Sequence, residues 1–329
     1  MPDAAEMVIR ATGLTRVYRG TRKHAETRAV DAMDLEVKRG EVVALLGPNG
    51  AGKTTMVRML ACLLRPTEGT ATVCGYDIRD NPSAVRAACG ISTESPGLYE
   101  LLTAEEYLTF FARMYAMPED QIGGRVEQHL RAADLWERRS DRLGTFSKGM
   151  RQKINIARAL VHGPRVVFLD EPTSGLDVEA SRAVRQHIQD LSRSADSTFL
   201  ICTHNLPEAE RLCDRIAVMN RGRIVASGSP EELKNRVFGG KALRVCLREM
   251  SPRYLDVARG TAGVTSVDAD DNQIIIQPDG PEAEVNPRVV RALVTAGADV
   301  ISVTGEGRTL EDVYLKLVRD EEENAEARA

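Results

Sequence analysis

No apolar run in the 329-residue chain approaches the ~18–20 residues that cross a bilayer. A membrane span of its own is therefore not expected, and any work at a membrane has to pass through another polypeptide. The opening residues, "MPDAAEMVIRATG", lack the basic-then-apolar pattern of a secretory signal, so the expected location is the cytoplasm. The six cysteines, Cys62, Cys74, Cys89, Cys202, Cys213 and Cys246, contain no C-x-x-C pair. That argues against a disulfide framework or a zinc site and for small buried apolar residues in a reducing compartment. Cys202 and His204 in "CTH" have no second cluster to complete a four-ligand metal set. A net charge of only −4 gives no global basis for a nucleic-acid partner. The one local basic segment, Arg16 to Arg28, is expected to be a solvated loop. Internal repeats, low-complexity tracts and long heptad runs are also missing.

What is present is an ordinary globular composition, 43% apolar and 28% charged, long enough for roughly two domains. Short apolar runs alternate with helical patterns over the first two-thirds. "EVVALLG" (41–47), "TATVCG" (70–75), "RVVFLD" (165–170), "STFLICTH" (197–204) and "RIAVMN" (215–220) behave as buried strands. Met150, Ile154, Ala157 and Val161 repeat at 4, 3 and 4, one helix face, and "HGPR" stops that helix. This alternation predicts an α/β fold with a mixed, mostly parallel sheet. Residues 95–160 are mostly helical in pattern and read as an inserted helical subdomain. After "GSPEEL" (228–233) the order becomes strand–helix–strand–strand–helix–strand, which predicts a small α+β domain of split-βαβ, ferredoxin-like type. The expected division is 1–238, 239–318, and an acidic frayed tail at 319–329.

Two segments carry chemistry. "GPNGAGKTT", Gly47, Pro48, Asn49, Gly50, Ala51, Gly52, Lys53, Thr54 and Thr55, fits G-x-x-x-x-G-K-[ST] between an apolar run and a helical one. Glycines let backbone N–H groups turn inward around an anion at a helix start, Lys53 reaches phosphate oxygens, and Thr54 offers a hydroxyl to Mg²⁺. "RVVFLDEP" then delivers Asp170 and Glu171 at a strand's C-terminal end, where ligands of open α/β sheets sit. Asp170 is placed for Mg²⁺ and Glu171 to polarise an attacking water.

Together these motifs resemble the nucleotide-binding subunits of ATP-binding cassette (ABC) transporters. The resemblance covers roughly residues 7–235, with phosphate loop, helical insertion, signature, "LDEP", "SGLD" and a strand-end histidine in the family's order. It implies a Mg²⁺-dependent ATPase that works as a pair of cassettes, the homodimer favoured, each covering the other's ATP with its signature. "FSKGM" (146–150) matches that signature. Ser147 can cap a helix or donate to a phosphate oxygen, and Gly149 permits close approach. The resemblance further assigns Tyr18 to the adenine, Ser174–Asp177 to the loop linking the two sites, and His204 to the γ-phosphate.

Three positions depart from the family pattern: Glu94 stands where a metal-contacting glutamine is usual, Lys148 replaces a glycine, and Met150 a glutamine. The implied partner is an integral membrane permease on a separate chain, met by the region of Leu98, Tyr99 and "ELLTAEEYL", which places the subunit on the inner face of the cell membrane. The Ser-Lys-Gly signature and the terminal appendage, ending in "TLEDVYLKL" (309–317), lean towards export. Two other uses stay open. A non-transport ATPase on ribosomes or DNA is opposed by the single phosphate loop, and a binding-only regulatory cassette by the retained Lys53, Asp170, Glu171 and His204.

Overall fold

The computed structural model describes residues 6–20, 26–94, 97–194, 197–238, 242–280, 282–306 and 309–326. These divide into two compact units, Met1–Ser227 and Gly228–Ala329. The first opens with two long strands, β1 (Met7–Tyr18) and β2 (Thr27–Lys38), paired antiparallel. β3 (Val42–Leu46), buried along its whole length, leads to α1 (Lys53–Leu60). β4 (Glu68–Val73) and β5 (Tyr76–Asp77) complete a four-stranded sheet in the order β2-β1-β4-β5. α2 (Pro82–Ala88) then leads to β6 (Cys89–Ser92).

α3 (Ala104–Met114), α4 (Glu119–Ala132) and α5 (Lys148–Leu160) pack as a helical layer. α3 starts on a capping box in which Thr103 accepts from Glu106 N–H and the Glu106 carboxylate accepts from Thr103 N–H. α5 buries Ile154 and Ala157, with Val161 just beyond its end, against Tyr107, Leu108, Val126 and Leu130, which is the face the 4-3-4 spacing predicts. Full burial of one such Leu or Ile contributes about 1.5–3 kcal/mol to holding the layer together.

The remaining elements of the unit are β7 (Val166–Asp170), α6 (Val178–Ser194), β8 (Thr198–Thr203), α7 (Leu206–Leu212), β9 (Arg215–Asn220) and β10 (Arg223–Gly228). They build a six-stranded sheet in the order β10-β9-β3-β8-β7-β6, parallel from β9 through β6. Arg221 and Gly222, with φ of 46° and 81°, make the tight turn that folds β10 back on β9. Register aligns Leu46 with Thr203 and Asp170 with Cys202, so three parallel strands end side by side. Cys74, Cys89, Cys202 and Cys213 are buried as small apolar residues.

"TATVCG" does not belong to the parallel sheet. Its strand, β4, sits in the antiparallel sheet with Ala71 and Val73 inward and Thr72 outward, as the period-two alternation of that stretch requires. The basic segment is in part strand, since Arg16 pairs with Val30 and Val17 with Arg28; residues 21–25 lie outside the described residues.

In the second unit, α8 (Pro230–Phe238) precedes β11 (Ala242–Leu247), α9 (Pro252–Arg259), β12 (Val264–Asp270), β13 (Gln273–Pro278), α10 (Glu282–Thr295), β14 (Val300–Glu306) and α11 (Leu310–Glu326). The sheet runs β12-β13-β11-β14 with antiparallel neighbours, the split-βαβ order, over a core of Val245, Ile274, Ile276, Val289 and Leu293. The boundary lies eleven residues before the expected one, because α8 packs with α11, where Lys316 Nζ donates to Val237 O at 3.0 Å. The expected frayed tail is helical as far as Glu326, and 327–329 lie outside the described residues. Among the described residues no helix is long and apolar enough to cross a membrane.

Three histidines are buried or half-buried in the first unit: His129 on α4, His162 just after α5 and His187 on α6. Burial pushes the imidazoles of His129, His162 and His187 down to about 4, with Arg125 adding to the effect at His129 and Lys153 at His187. An unfolded histidine titrates near 6.5. Between about 6.5 and about 4 the unfolded chain therefore binds protons that the native state refuses, and stability present above that window is lost as pH falls through it. Each histidine contributes of the order of 1 kcal/mol per pH unit. The buried carboxyls of Asp170 and Glu208, raised by burial, oppose part of this. The expected result is a melting temperature that falls clearly between pH 7 and pH 5.5, with a shallower slope in His187→Gln. An unchanged slope in that variant overturns the assignment.

Candidate active site at the ends of three parallel strands

The loop after β3 is shaped by glycine. Gly50 and Gly52 have φ of 83° and 102°, in the left-handed region. A Cβ on Gly47 would lie 2.3 Å from Met219 O, and one on Gly52 would lie 2.2 Å from Ala29 O. Neither position admits a side chain. α1 then begins at Lys53 with no side chain capping its first turn. Its N–H groups and positive end are left for an anion.

Lys53 is 6% exposed and folds back over the loop. Its Nζ donates to Gly47 O at 2.7 Å and Pro48 O at 3.1 Å, and lies 3.6 Å from Glu171 Oε1. Gly47 and Pro48 thus stand behind the site as acceptors, while Asn49 through Thr55 face a cavity of about 440 Å³. Tyr18, Glu94, Glu171 and His204 complete its walls with Thr27, Ala29 and Ser174. Tyr18 is partly exposed, with the Arg16 guanidinium 5.0 Å from its ring centroid.

Asp170 lies beneath this wall and accepts from Thr54 Oγ1 at 3.2 Å. Burial pushes its carboxyl above the usual range; the Thr54 hydrogen bond opposes this, and the negative charges of Glu171 and Glu94 add to it. Glu171 has a φ of 49°, uncommon for a residue with a side chain and a place where strain is held by surrounding bonds. Its N–H donates to Cys202 O at 2.8 Å, and its carboxylate sits between Lys53 and His204, whose Nδ1 is 2.9 Å from Oε2. Glu94 Oε1 accepts from Ser174 Oγ at 3.3 Å. Three carboxylates, Asp170, Glu171 and Glu94, thus lie close enough for their charges to interact, with Lys53 3.6 Å from Glu171.

Ser147 and Gly149 are not at this cavity. Ser147 caps α5, its Oγ accepting from Met150 N–H at 3.3 Å, and Gly149 packs against Ala180. Lys148 Nζ donates to Gly175 O at 2.8 Å, tying the signature to the "SGLD" loop of the same chain.

Thr27 and Ala29 enter the cavity lining unannounced by any candidate motif, and Ser174, the first residue of the "SGLD" motif, lines it as well. Glu208 was also missed. It is 1% exposed and accepts from Thr173 Oγ1 and Thr203 Oγ1, both at 2.7 Å. Its one sequence signal, Asn205-x-x-Glu208, marks a helix start and points its carboxylate at the cap, whereas the side chain turns to the two threonines.

A parallel sheet with a glycine loop, a lysine and an acidic strand end at one cavity defines a P-loop nucleoside triphosphatase. A family model described as ABC transporter matches residues 30–174. The daunorubicin resistance ATP-binding protein DrrA3 of Streptomyces coeruleorubidus is 36% identical over 307 residues, 93% of this chain and 96% of that protein. The ABC transporter ATP-binding protein NatA of Bacillus subtilis is 39% identical over 227 residues, 69% of this chain and 91% of its own. Among solved structures, an ATP-binding subunit of an ABC transporter superposes with TM-score 0.62 at 33% identity, covering 70% of this chain and 93% of that one. A dimeric ATP-binding cassette in a post-hydrolysis state with ADP and phosphate gives 0.61 at 26% identity, covering 67% and 98%. The chain belongs to the ATP-binding subunits of ABC transporters, and it is an ATP-hydrolysing enzyme.

Proposed function

We propose that ATP occupies the 440 Å³ cavity with its adenine against Tyr18 and its phosphates over the loop of Gly47–Thr55. The observation that carries this reading is the Glu171 carboxylate in the cavity wall, 3.6 Å from Lys53 Nζ on one oxygen and 2.9 Å from His204 Nδ1 on the other. Lys53 exchanges its carbonyl partners for phosphate oxygens. Glu171 takes a proton from the attacking water, and His204 meets the γ-phosphate.

The residues present fit Mg²⁺. Asp170 and Thr54 stand side by side, and Glu94 adds a carboxylate close enough for its charge to act on Asp170. No group of three or more His, Cys, Asp or Glu residues forms a self-contained metal cage among the described residues. Mg²⁺ is commonly held by one or two protein groups plus phosphates and water, which suits this set. When bound it neutralises charge developing on the phosphates.

A second copy of the cassette supplies Ser147 and Gly149 to the open side of the cavity. That accounts for their distance from the loop in one chain. The relationship to a dimeric cassette structure supports the pairing. The membrane partner is a separate permease. An exposed face of Tyr99, Leu101, Phe110 and Met114 on and before α3 supports a docking role there. Peripheral attachment to the inner membrane face follows from that partner. Likeness along nearly the whole chain to a protein named for daunorubicin resistance supports export. The unit after Ser227 serves as an accessory domain for pairing or regulation.

Gentle solubilisation of native membranes and capture of the full chain tests this reading. A multi-span membrane protein is expected in stoichiometric amount. Recovery of ribosomal or DNA-repair components alone overturns the transport role and leaves the ATPase.

A further inference from the structure

We propose that Glu208 is a positioning residue for ATP hydrolysis: its carboxylate clamps the turn that carries Glu171 to the strand end that carries His204. The inference rests on the roles given to those two residues above. The turn runs from Glu171 to Ser174, closed by Ser174 N–H donating to Glu171 O at 3.1 Å. Thr173, inside it, donates to Glu208 Oε1 at 2.7 Å. Thr203, next to His204, donates to Oε2 at 2.7 Å. On the far side of His204, Asn205 N–H donates to Thr203 Oγ1 at 3.0 Å, and Asn205 Oδ1 accepts from Glu208 N–H at 3.1 Å. The Glu208 side chain therefore holds Thr203 and Thr173 directly, and Asn205 is tied in through Thr203 Oγ1 and the Glu208 backbone N–H.

A carboxylate is a costly filler at 1% exposure, since an apolar side chain of similar volume packs without a desolvation penalty. What it supplies that an apolar group does not is a pair of acceptors fixed about the width of one carboxylate apart. Those acceptors tie the turn after β7 to the end of β8 beyond the last ladder bond, from Glu171 N–H to Cys202 O. Glu171 needs such support, because its backbone is held at a φ of 49° and its side chain reaches His204 Nδ1 at 2.9 Å. Loss of the clamp lets the base drift relative to His204. Displacements near 1 Å at a reacting centre cost on the order of 100-fold in rate. The phosphate loop and Lys53 make no bond to Glu208, so ATP affinity is expected to stay.

The test is steady-state phosphate release and ATP affinity on the full-length chain. Thr173→Val and Thr203→Val are close to isosteric, and an unchanged circular dichroism spectrum checks that each keeps the fold. Each is expected to lower kcat about 10-fold with ATP affinity within about twofold, the pattern of an interaction used in the transition state. Glu208→Ala is expected to lose about 100-fold in kcat, and Glu208→Gln, which still offers one acceptor, to recover much of it. In a Glu171→Gln background, Glu208→Ala is expected to add little, because the base it positions is already gone. Wild-type kcat in both threonine variants overturns the clamp, as do losses that multiply fully in the double variant. If Glu171→Gln itself hydrolyses ATP normally while the threonine variants are slow, the fault lies with the role given to Glu171 and not with the clamp.

Discussion

Replacing Glu171 by glutamine is expected to slow ATP hydrolysis at least ~100-fold while ATP still binds. The substitution keeps shape and keeps an oxygen that accepts from Lys53 or His204, which lie 3.6 and 2.9 Å from the carboxylate. It removes the proton acceptor. It also removes one of three negative charges around the phosphates, beside Asp170 and Glu94, so affinity for ATP is expected to hold or rise. A variant that binds without turnover should collect as an ATP-bound pair of cassettes, visible as a larger species on size exclusion only when ATP is present. Phosphate release at the wild-type rate in that variant would falsify the assignment of the base.

The second large effect is expected at Lys53. Its Nζ makes two charge-assisted hydrogen bonds to Gly47 O and Pro48 O at 2.7 and 3.1 Å. In the proposed ATP complex, charged phosphate oxygens take the place of those neutral carbonyls. Two such bonds at about 1.5–3 kcal/mol each amount to at least ~100-fold in affinity, so Lys53→Ala is expected to lose ATP binding at ordinary nucleotide concentrations. A nucleotide-dependent rise in melting temperature is the direct measurement: present in the wild type, absent in the variant, with both folded without ligand. An equal rise in both removes Lys53 from the binding site.

The parts legible in the sequence are those whose signal is local. The phosphate loop and the strand ending in Asp170 and Glu171 each fit within nine consecutive residues, so pattern and position coincide. The face of α5 was legible because helical spacing alone decides which of its residues meet Tyr107 and Leu130. The small second unit was legible as an order of elements, and its sheet follows that order. β1 and β2 were not, because several register shifts interrupt their pairing and blur the alternation that marks a strand. The domain boundary was misplaced because nothing within "GSPEELKNRVF" reveals a partner helix lying after residue 309. Glu208 is the clearest case. Its partners lie 35 and 5 residues away in sequence, and only the parallel pairing of β7 with β8 brings their two strand ends together. The signature was readable as a motif, yet in one chain Ser147 and Gly149 stand away from the cavity, so the role proposed for them needs a second cassette.

The close packing of Gly47 against Met219 O and of Gly52 against Ala29 O has a further consequence. Gly222 N–H also donates to Ala51 O at 3.0 Å, so the phosphate loop is gripped by the β9–β10 turn on one side and by β2 on the other. The loop is thus a preorganised mould that stays shaped when empty. Ordering it consumes little of the energy released when nucleotide arrives. That energy is available for movement elsewhere, in the approach of a second cassette, which is where an engine needs it.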